Sequence, residues 1–339
     1  MKAAIKRAVL GAAEATGVTG RTGRSEWRRR RLLVLCYHGV SVRDEHLFNP
    51  ELYVSVERLR ARFSALRNMG ASVIPLAEAL SRLEAGTLPP CSVVITFDDG
   101  ASNFASQAVP LLREFAFPAT VYVATHYVMH QLPVWNMAAK YLTWLARDGA
   151  VHVIGDLSLD ERMELFGNSR PSGSILDAFL ARWSNASSIE QDAAVSALAR
   201  ALRVDGTDMR ATRRWHLMTP DEIAALPADL VSVQLHTHRH RQPSDSQAYS
   251  DEVLRNQALI ESMTGRPARH FCYPSGVVEP AFPGYLRALG VESAVTCEPG
   301  LASAGSDAWR LPRLIDTMDT PLQTFRAWVA GTMGWLKKP

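Results

Sequence analysis

Two hydrophobic periods alternate along the first 125 residues of the chain. Short apolar runs at 32–37, 71–74, 93–96 and 119–124 read as buried strands. The third of them, Val93-Val94-Ile95-Thr96, is β-branched throughout, which suits a pleated, packed strand. Between the runs the period lengthens. Val56, Leu59, Phe63 and Leu66 recur at three and four within 55–69, one face of a helix that Gly70 ends. A second helix is expected over 76–83, stopped by Gly86, and a third over 105–115, interrupted by Pro110. Strand and helix in alternation imply parallel pairing through right-handed crossovers.

The alternation resumes at Thr219-Pro220, a cap followed by a first-turn proline. From there the pattern predicts helix 221–226, strand 230–235, helix 251–263 stopped by Gly265, a strand end at 270–276, helix 285–289, strand 293–296, an extended segment 309–315 and a final helix 322–329. The intervening stretch, 126–219, is helix-prone, carries Trp135, Trp144, Trp183 and Trp215, and is broken by Gly149, Gly155, Gly167 and Gly173. It reads as a helical insertion on one loop of an α/β core. Its tryptophans read as packing, with stacking on a sugar as the alternative.

Composition changes this picture in one place. The 339 residues are 47% hydrophobic and 21% charged, an ordinary globular balance with apolar material for one large core. The net charge of +3 is unevenly spread: the first 31 residues hold nine basic and two acidic side chains, so the rest of the chain is slightly acidic. Residues 1–31 are therefore read as a basic N-terminal extension, solvated and mobile, with the domain beginning at 32. A short helix over 1–18 would suit an anionic membrane surface. Ala8-Val9-Leu10 runs into Gly11 and Glu14, so no continuous apolar core of a signal peptide forms, and no stretch approaches a membrane span. The expectation is a cytoplasmic protein that touches membrane, if at all, through this extension. A nucleic-acid role would rest on the same residues alone and is not expected. Cys36, Cys91, Cys272 and Cys297 are widely spaced and read as buried thiols.

The strand at 93–96 ends in Phe97-Asp98-Asp99-Gly100, two adjacent carboxylates where α/β folds place their chemistry. Neighbouring acids repel unless a cation or a shared proton lies between them. Three histidines, His236, His238 and His240, come after the strand 230–235. His236 would pair with His238 on a continued strand, or with His240 across a helical turn. Either pair with one carboxylate is a ligand set for a divalent transition metal, zinc first, with cobalt or nickel as alternatives. The remaining histidine is expected to face solvent. Side by side, Asp98 and Asp99 leave the backbone in different directions, so one can bind metal while the other serves as a base.

Thr-Phe-Asp-Asp-Gly at 96–100 and His-Thr-x-x-His at 236–240 resemble the first two motifs of the polysaccharide deacetylases, the NodB-homology domain of carbohydrate esterase family four. Tyr37-His38-Gly39 resembles the branch acting on bacterial exopolysaccharides. The resemblance covers about 32–315, the insertion excepted. It implies a distorted (β/α) barrel and metal-dependent removal of N- or O-acetyl groups from an acetylated glycan. It also implies Asp98 as general base, Asp99, His236 and His240 as metal ligands, Thr237 as an orienting residue, and a backbone N–H at Tyr273 as the oxyanion donor. Three family features are missing here. The arginine of the third motif is replaced within His270-Phe271-Cys272-Tyr273, no Asp-x-x-Asp-Trp occurs between Gly276 and Gly300, and no histidine comes after His270. Arg313 is the substitute proposed for the arginine that orients the base. His38, at the end of the first strand, is proposed as the general acid, because strand ends converge on one barrel face.

Two other functions fit the same residues less fully: an amidohydrolase of a small non-sugar amide, and a sugar-binding module without catalysis. Acetate release and bound metal discriminate among the three.

Overall fold

The computed structural model describes residue 11 and residues 17–146, 158–166 and 175–335. The short helix expected over 1–18 and the glycine breaks at 149, 155, 167 and 173 fall largely outside these residues. The apolar runs form strands: β1 Leu33–Tyr37, β2 Gly39–Val40, β3 Tyr53–Val54, β4 Ser72–Val73, β5 Ser92–Phe97, β6 Ala119–Val123, β7 Val231–Leu235, β8 His270–Cys272, β9 Ser293–Val295 and β10 Leu314–Ile315. Eight of them make one parallel sheet in the order β10-β1-β5-β6-β7-β8-β9, with β4 on β5. The two edges meet in the segment 311–315: Leu311 bridges Val295 of β9, while Leu314 and Ile315 pair with Leu35 and Cys36 of β1. The sheet thus curls into the distorted (β/α) barrel that its sequence implied.

Register, more than strand count, decides which side chains meet at the strand ends. β1 and β5 pair from Leu33↔Val93 to Tyr37↔Phe97, so the next residues, His38 and Asp98, emerge side by side. The Asp98 N–H donates to Tyr37 O at 2.9 Å, extending the ladder to that point. Inward-facing Val34, Val94, Tyr122, Cys272 and Val295 pack with Leu311 and with Leu76, Ala79 and Leu83 in one cluster. Each such buried aliphatic side chain contributes about 1.5–3 kcal/mol.

The helices keep their expected faces with revised ends. Val56–Asn68 buries Leu59, Phe63 and Leu66 and is capped by Ser55, whose side chain accepts the Arg58 N–H. Pro110 does not interrupt its helix. It sits in the first turn of Val109–Phe115, where no N–H is needed, after a π-turn at Phe104–Ala108. The helix predicted from 251 begins earlier, at Ser246, because Asp245 caps it by accepting the Ala248 N–H. A two-stranded ladder, β2 with β3, comes after β1 with no counterpart in the sequence pattern. Its two-residue strands leave no periodicity to read.

The basic extension is also shorter than expected. Residues 18–31 include two helices, Val18–Gly23 and Glu26–Arg29, and Arg28 is fully buried. Its guanidinium donates to Val329 O, Arg31 O and Ser92 O, which satisfies a charge that burial would otherwise forbid. This segment is part of the packed domain, not a solvated arm.

Contacts divide the chain into two compact units, Met1–His126 with Met218–Pro339, and Tyr127–Leu217. The second unit has its own core, with Tyr141, Phe179, Leu198 and Trp215 buried. Its tryptophans pack within it: Trp215 against Tyr141, Trp135 against Phe179, and Trp183 donating to Leu165 O. Among the described residues no helix is long and apolar enough to cross a membrane.

Candidate active site

The C-terminal ends of β1, β5, β7 and β8 and the residue Arg313 before β10 converge on one pocket of polar groups. Asp98 continues the inward face of β5 and is nearly inaccessible. Arg313, fully buried, grips it with two parallel bonds, Nη1 to Oδ1 at 2.7 Å and Nη2 to Oδ2 at 2.8 Å. The guanidinium is itself held by Thr296 O and Thr96 Oγ1. Cys36 and Cys272 bring their thiols to Oδ2 at 3.5 and 3.3 Å. Burial pushes both thiols up, so they stay protonated and donate. Burial alone would raise the Asp98 carboxyl too, but the charge and bonds of Arg313 outweigh it and hold the acid well below the usual carboxylate range. His38 Nε2 stands 3.8 Å from Asp98 Oδ2, as the strand register requires.

Asp99 turns the other way because its backbone is left-handed, φ 69°. Gly100 comes next at φ 83°, and a Cβ there would lie 3.0 Å from both methyls of Val123. This pair of turns sends the second carboxylate toward the histidine loop. Asp99 Oδ1 lies 3.3 Å from His236 Nε2 and 3.4 Å from His240 Nε2, and the two rings are 4.7 Å apart at centroid. Thr237 and His240 are also left-handed, φ 60° and 55°, so the loop after β7 coils tightly enough to bring i and i+4 together. Thr237 Oγ1 accepts the Arg241 N–H across that coil.

Hydrogen bonding fixes the tautomer of one histidine. His236 Nδ1 lies 2.8 Å from Cys272 O, and a carbonyl can only accept, so Nδ1 carries the proton. The Nε2 lone pair of the neutral ring then faces a carboxylate oxygen, an arrangement that needs a proton or a cation between them. Burial lowers the His236 imidazolium, yet the Asp99 hydrogen bond and both carboxylates outweigh that and raise it. A tetrahedral ion with bonds of about 2.0–2.1 Å has ligand atoms about 3.3 Å apart, which matches the 3.3 and 3.4 Å separations here. Asp99, His236 and His240 therefore fit a divalent metal cation. The Nδ1–H to carbonyl bond is the usual means of orienting such a ligand.

The polysaccharide deacetylase family model matches residues 85–162 and 192–294. The chain belongs to the polysaccharide deacetylase family. Membership of that family implies a hydrolase of non-peptide carbon–nitrogen bonds acting on an acetylated glycan. A curated relative, the poly-β-1,6-N-acetyl-D-glucosamine N-deacetylase of Escherichia coli (strain K12), is 31% identical over 94 residues. That match spans 27% of this chain and only 14% of the relative. Among solved structures, the Streptococcus pyogenes deacetylase PplD in complex with acetate superposes with a TM-score of 0.57 at 16% identity, covering 91% of this chain and 99% of that one. IcaB from Ammonifex degensii gives 0.57 at 20% identity over 89% and 97% of the two chains. At these identities the likeness is one of fold.

Against that family's pattern, two expectations need correction. The third histidine does not face solvent: His238 is 1% exposed, and its Nδ1 is 3.0 Å from Thr125 Oγ1. Tyr273 does not offer its N–H to the deacetylase site. That group donates to Val295 O at 3.3 Å and the hydroxyl donates to Trp309 O at 3.0 Å, so both serve the sheet edge. Asp98, Asp99, His38, His236, His240 and Arg313 are brought together.

Sequence reasoning misses the residues behind them. Asn256 accepts the His236 N–H, Glu252 accepts the Arg239 N–H, and Asn103 accepts the Val40 N–H just beyond His38. A signal for the first two is present: Glu252 and Asn256 interrupt the apolar stripe Tyr249, Val253, Ile260 of their helix.

Proposed function

We propose that the chain is a divalent-metal-dependent hydrolase that removes N-acetyl groups from a glycan in polysaccharide or glycolipid synthesis. One observation carries the reading: a buried carboxylate gripped by arginine, Asp98, stands next to a separate Asp-His-His set, Asp99, His236 and His240. A cation held by that set, zinc first among zinc, cobalt and nickel, would supply Lewis acidity and lower the pKa of water.

The chain's own groups do the proton work. Asp98 is kept ionised by Arg313 and takes a proton from the water that adds to the acetyl carbonyl. Arg313 and the two thiols fix which lone pair of Asp98 is left to receive it. His38, across the β1–β5 register from Asp98, delivers a proton to the departing amine nitrogen as the carbon–nitrogen bond breaks. The products are acetate and a free amine on the sugar. Thr237 bridges the coil that carries His240.

The substrate to try first is an N-acetylglucosamine oligomer, the class named for the 31% identical Escherichia coli relative. The test is acetate and free-amine release by the zinc-loaded protein, with Asp98→Asn as control. Release from the oligomer that the variant abolishes supports the proposal. Release only from small non-sugar amides would make the chain an amidohydrolase, and stoichiometric zinc with no turnover of either would make it a binding module. A cytoplasmic location, with exposed Arg21, Arg24, Arg29 and Arg30 facing anionic membrane, is a separate proposal that fractionation of the parent and of a variant with those four arginines changed to glutamate tests.

A further inference from the structure

The loop carrying the two histidines needs something to hold its backbone, because the sheet stops before it. The last register pair between β6 and β7 is Val123↔Leu235, so His236 N–H is the first donor beyond the ladder. Asn256, fully buried on the helix Ser246–Thr264, takes the ladder's place. Its Oδ1 accepts the His236 N–H at 2.9 Å, and its Nδ2 donates to Val123 O at 2.8 Å and Thr125 Oγ1 at 3.1 Å. One carboxamide therefore joins the ends of two splaying strands, using three of its four bonding positions.

The same helix face holds the loop twice more, one turn earlier. Glu252 accepts the Arg239 N–H on Oε2 at 2.7 Å, and its backbone carbonyl accepts the His238 N–H at 3.1 Å. His238, the histidine that ligates nothing in the Asp99 set, closes the network: its Nδ1 meets Thr125 Oγ1, and its carbonyl accepts the His126 N–H at 2.7 Å. An asparagine is a poor helix former, and burying its carboxamide is costly unless every group is bonded. Its presence mid-helix, aimed at a candidate ligand's own backbone, calls for a role.

We propose that Asn256 is the positioning residue of the cation site, setting the backbone of His236 so that its Nε2 meets Asp99 and His240 in a pre-formed geometry. The inference rests on the metal-dependent reading above and concerns affinity for the ion, not the proton transfers.

The test is the zinc dissociation constant of the full chain, measured by competition with a chromogenic chelator, together with apo-protein thermal midpoints. Asn256→Ala should weaken zinc by about 10–100-fold, the range for lost outer-shell partners of a ligating histidine. Thr125→Val, which removes the neighbouring hydroxyl but spares the His236 N–H contact, should lower the apo midpoint and leave affinity within about threefold. At saturating zinc, Asn256→Ala should regain most of kcat with KM unchanged. Should Asn256→Ala fail to fold, Asn256→Asp decides: it keeps an acceptor for His236 N–H but sets a carboxylate against Val123 O, and should weaken zinc by more than the threefold allowed for Thr125→Val. If the folded Asn256 variants bind zinc as tightly as the parent, Asn256 is a packing residue and the inference is wrong. A parent chain that binds no zinc would instead overturn the metal-dependent reading itself.

Discussion

Replacing Arg313 by methionine tests the electrostatic centre of the site. The side chain is fully buried and makes two bonds, 2.7 and 2.8 Å, to a carboxylate that is 3% exposed. Methionine fills the volume but leaves Asp98 with neutral thiols and with His38 at 3.8 Å. Removing one partner of a buried pair costs about 3–5 kcal/mol. At 1.36 kcal/mol per unit, that is equivalent to a rise of about two to four units in the Asp98 pKa. In the parent the folded Asp98 pKa is depressed by Arg313 against burial, so this pair stabilises the fold above the unfolded carboxylate's pKa and ceases to as pH falls through the folded value. In Arg313→Met burial prevails and the folded pKa is raised, so the carboxyl takes a proton on folding and the stability gap to the parent narrows toward acid. Urea unfolding over a pH series measures this, and the acid limb of kcat/KM should move upward by a similar number of units, with activity partly regained at higher pH. Asp98→Asn combined with Arg313→Met should restore much of the stability and none of the activity. If Arg313→Met unfolds at the parent's urea midpoint and its acid limb does not move, the arginine neither holds nor ionises the base.

Three further outcomes are expected. His38→Ala should lower kcat by about 10²–10⁴-fold with little change in KM; an unchanged kcat removes His38 as the acid. Chelation should abolish acetate release, zinc or cobalt should restore it, and His240→Ala should show reduced metal content after dialysis; full activity in chelator ends the metal reading. Gly100→Ala places a Cβ 3.0 Å from the Val123 methyls at φ 83° and should destabilise by about 1–3 kcal/mol, with Val123→Ala recovering the steric part only; a neutral Gly100→Ala would mean the turn after β5 is not constrained.

Much of the barrel and the principal acids are legible in the sequence because period and position are local properties. Inward alternation along β5 places Val94, Thr96 and Asp98 on one face, and Val34, Cys36 and His38 match them on β1. The Asp-Asp pair and the histidine spacing need no tertiary knowledge to be noticed. What escapes depends on backbone conformation and distant partners. Nothing in the stretch 236–240 alone tells that Thr237 and His240 are left-handed, and those two angles decide that His240, not His238, meets Asp99. The motif around Tyr273 assigns its N–H to the oxyanion, yet that N–H belongs to β9. The cysteines read only as buried thiols, and two of them touch Asp98, a contact made across 62 and 174 residues of chain.

The adjacency of Asp98 and Asp99 is best understood as a way to give two identical side chains opposite surroundings. Asp98 keeps the strand's extended geometry and so points into the barrel, where a guanidinium from 215 residues away neutralises it. Asp99 breaks that geometry with a positive φ and so points along the rim, toward two imidazoles. Had the chain continued as a strand, Asp99 would lie on the outer face and meet no histidine. Left-handed backbone at a residue other than glycine costs about 1–3 kcal/mol, and here it recurs at Asp99, Thr237 and His240, all within one site. Of the nine such residues among those described, these three turn Asp99 and the two histidines toward one another, while the strands beneath them, in register from Leu33↔Val93 to Tyr37↔Phe97, stay regular and so set Asp98 beside His38.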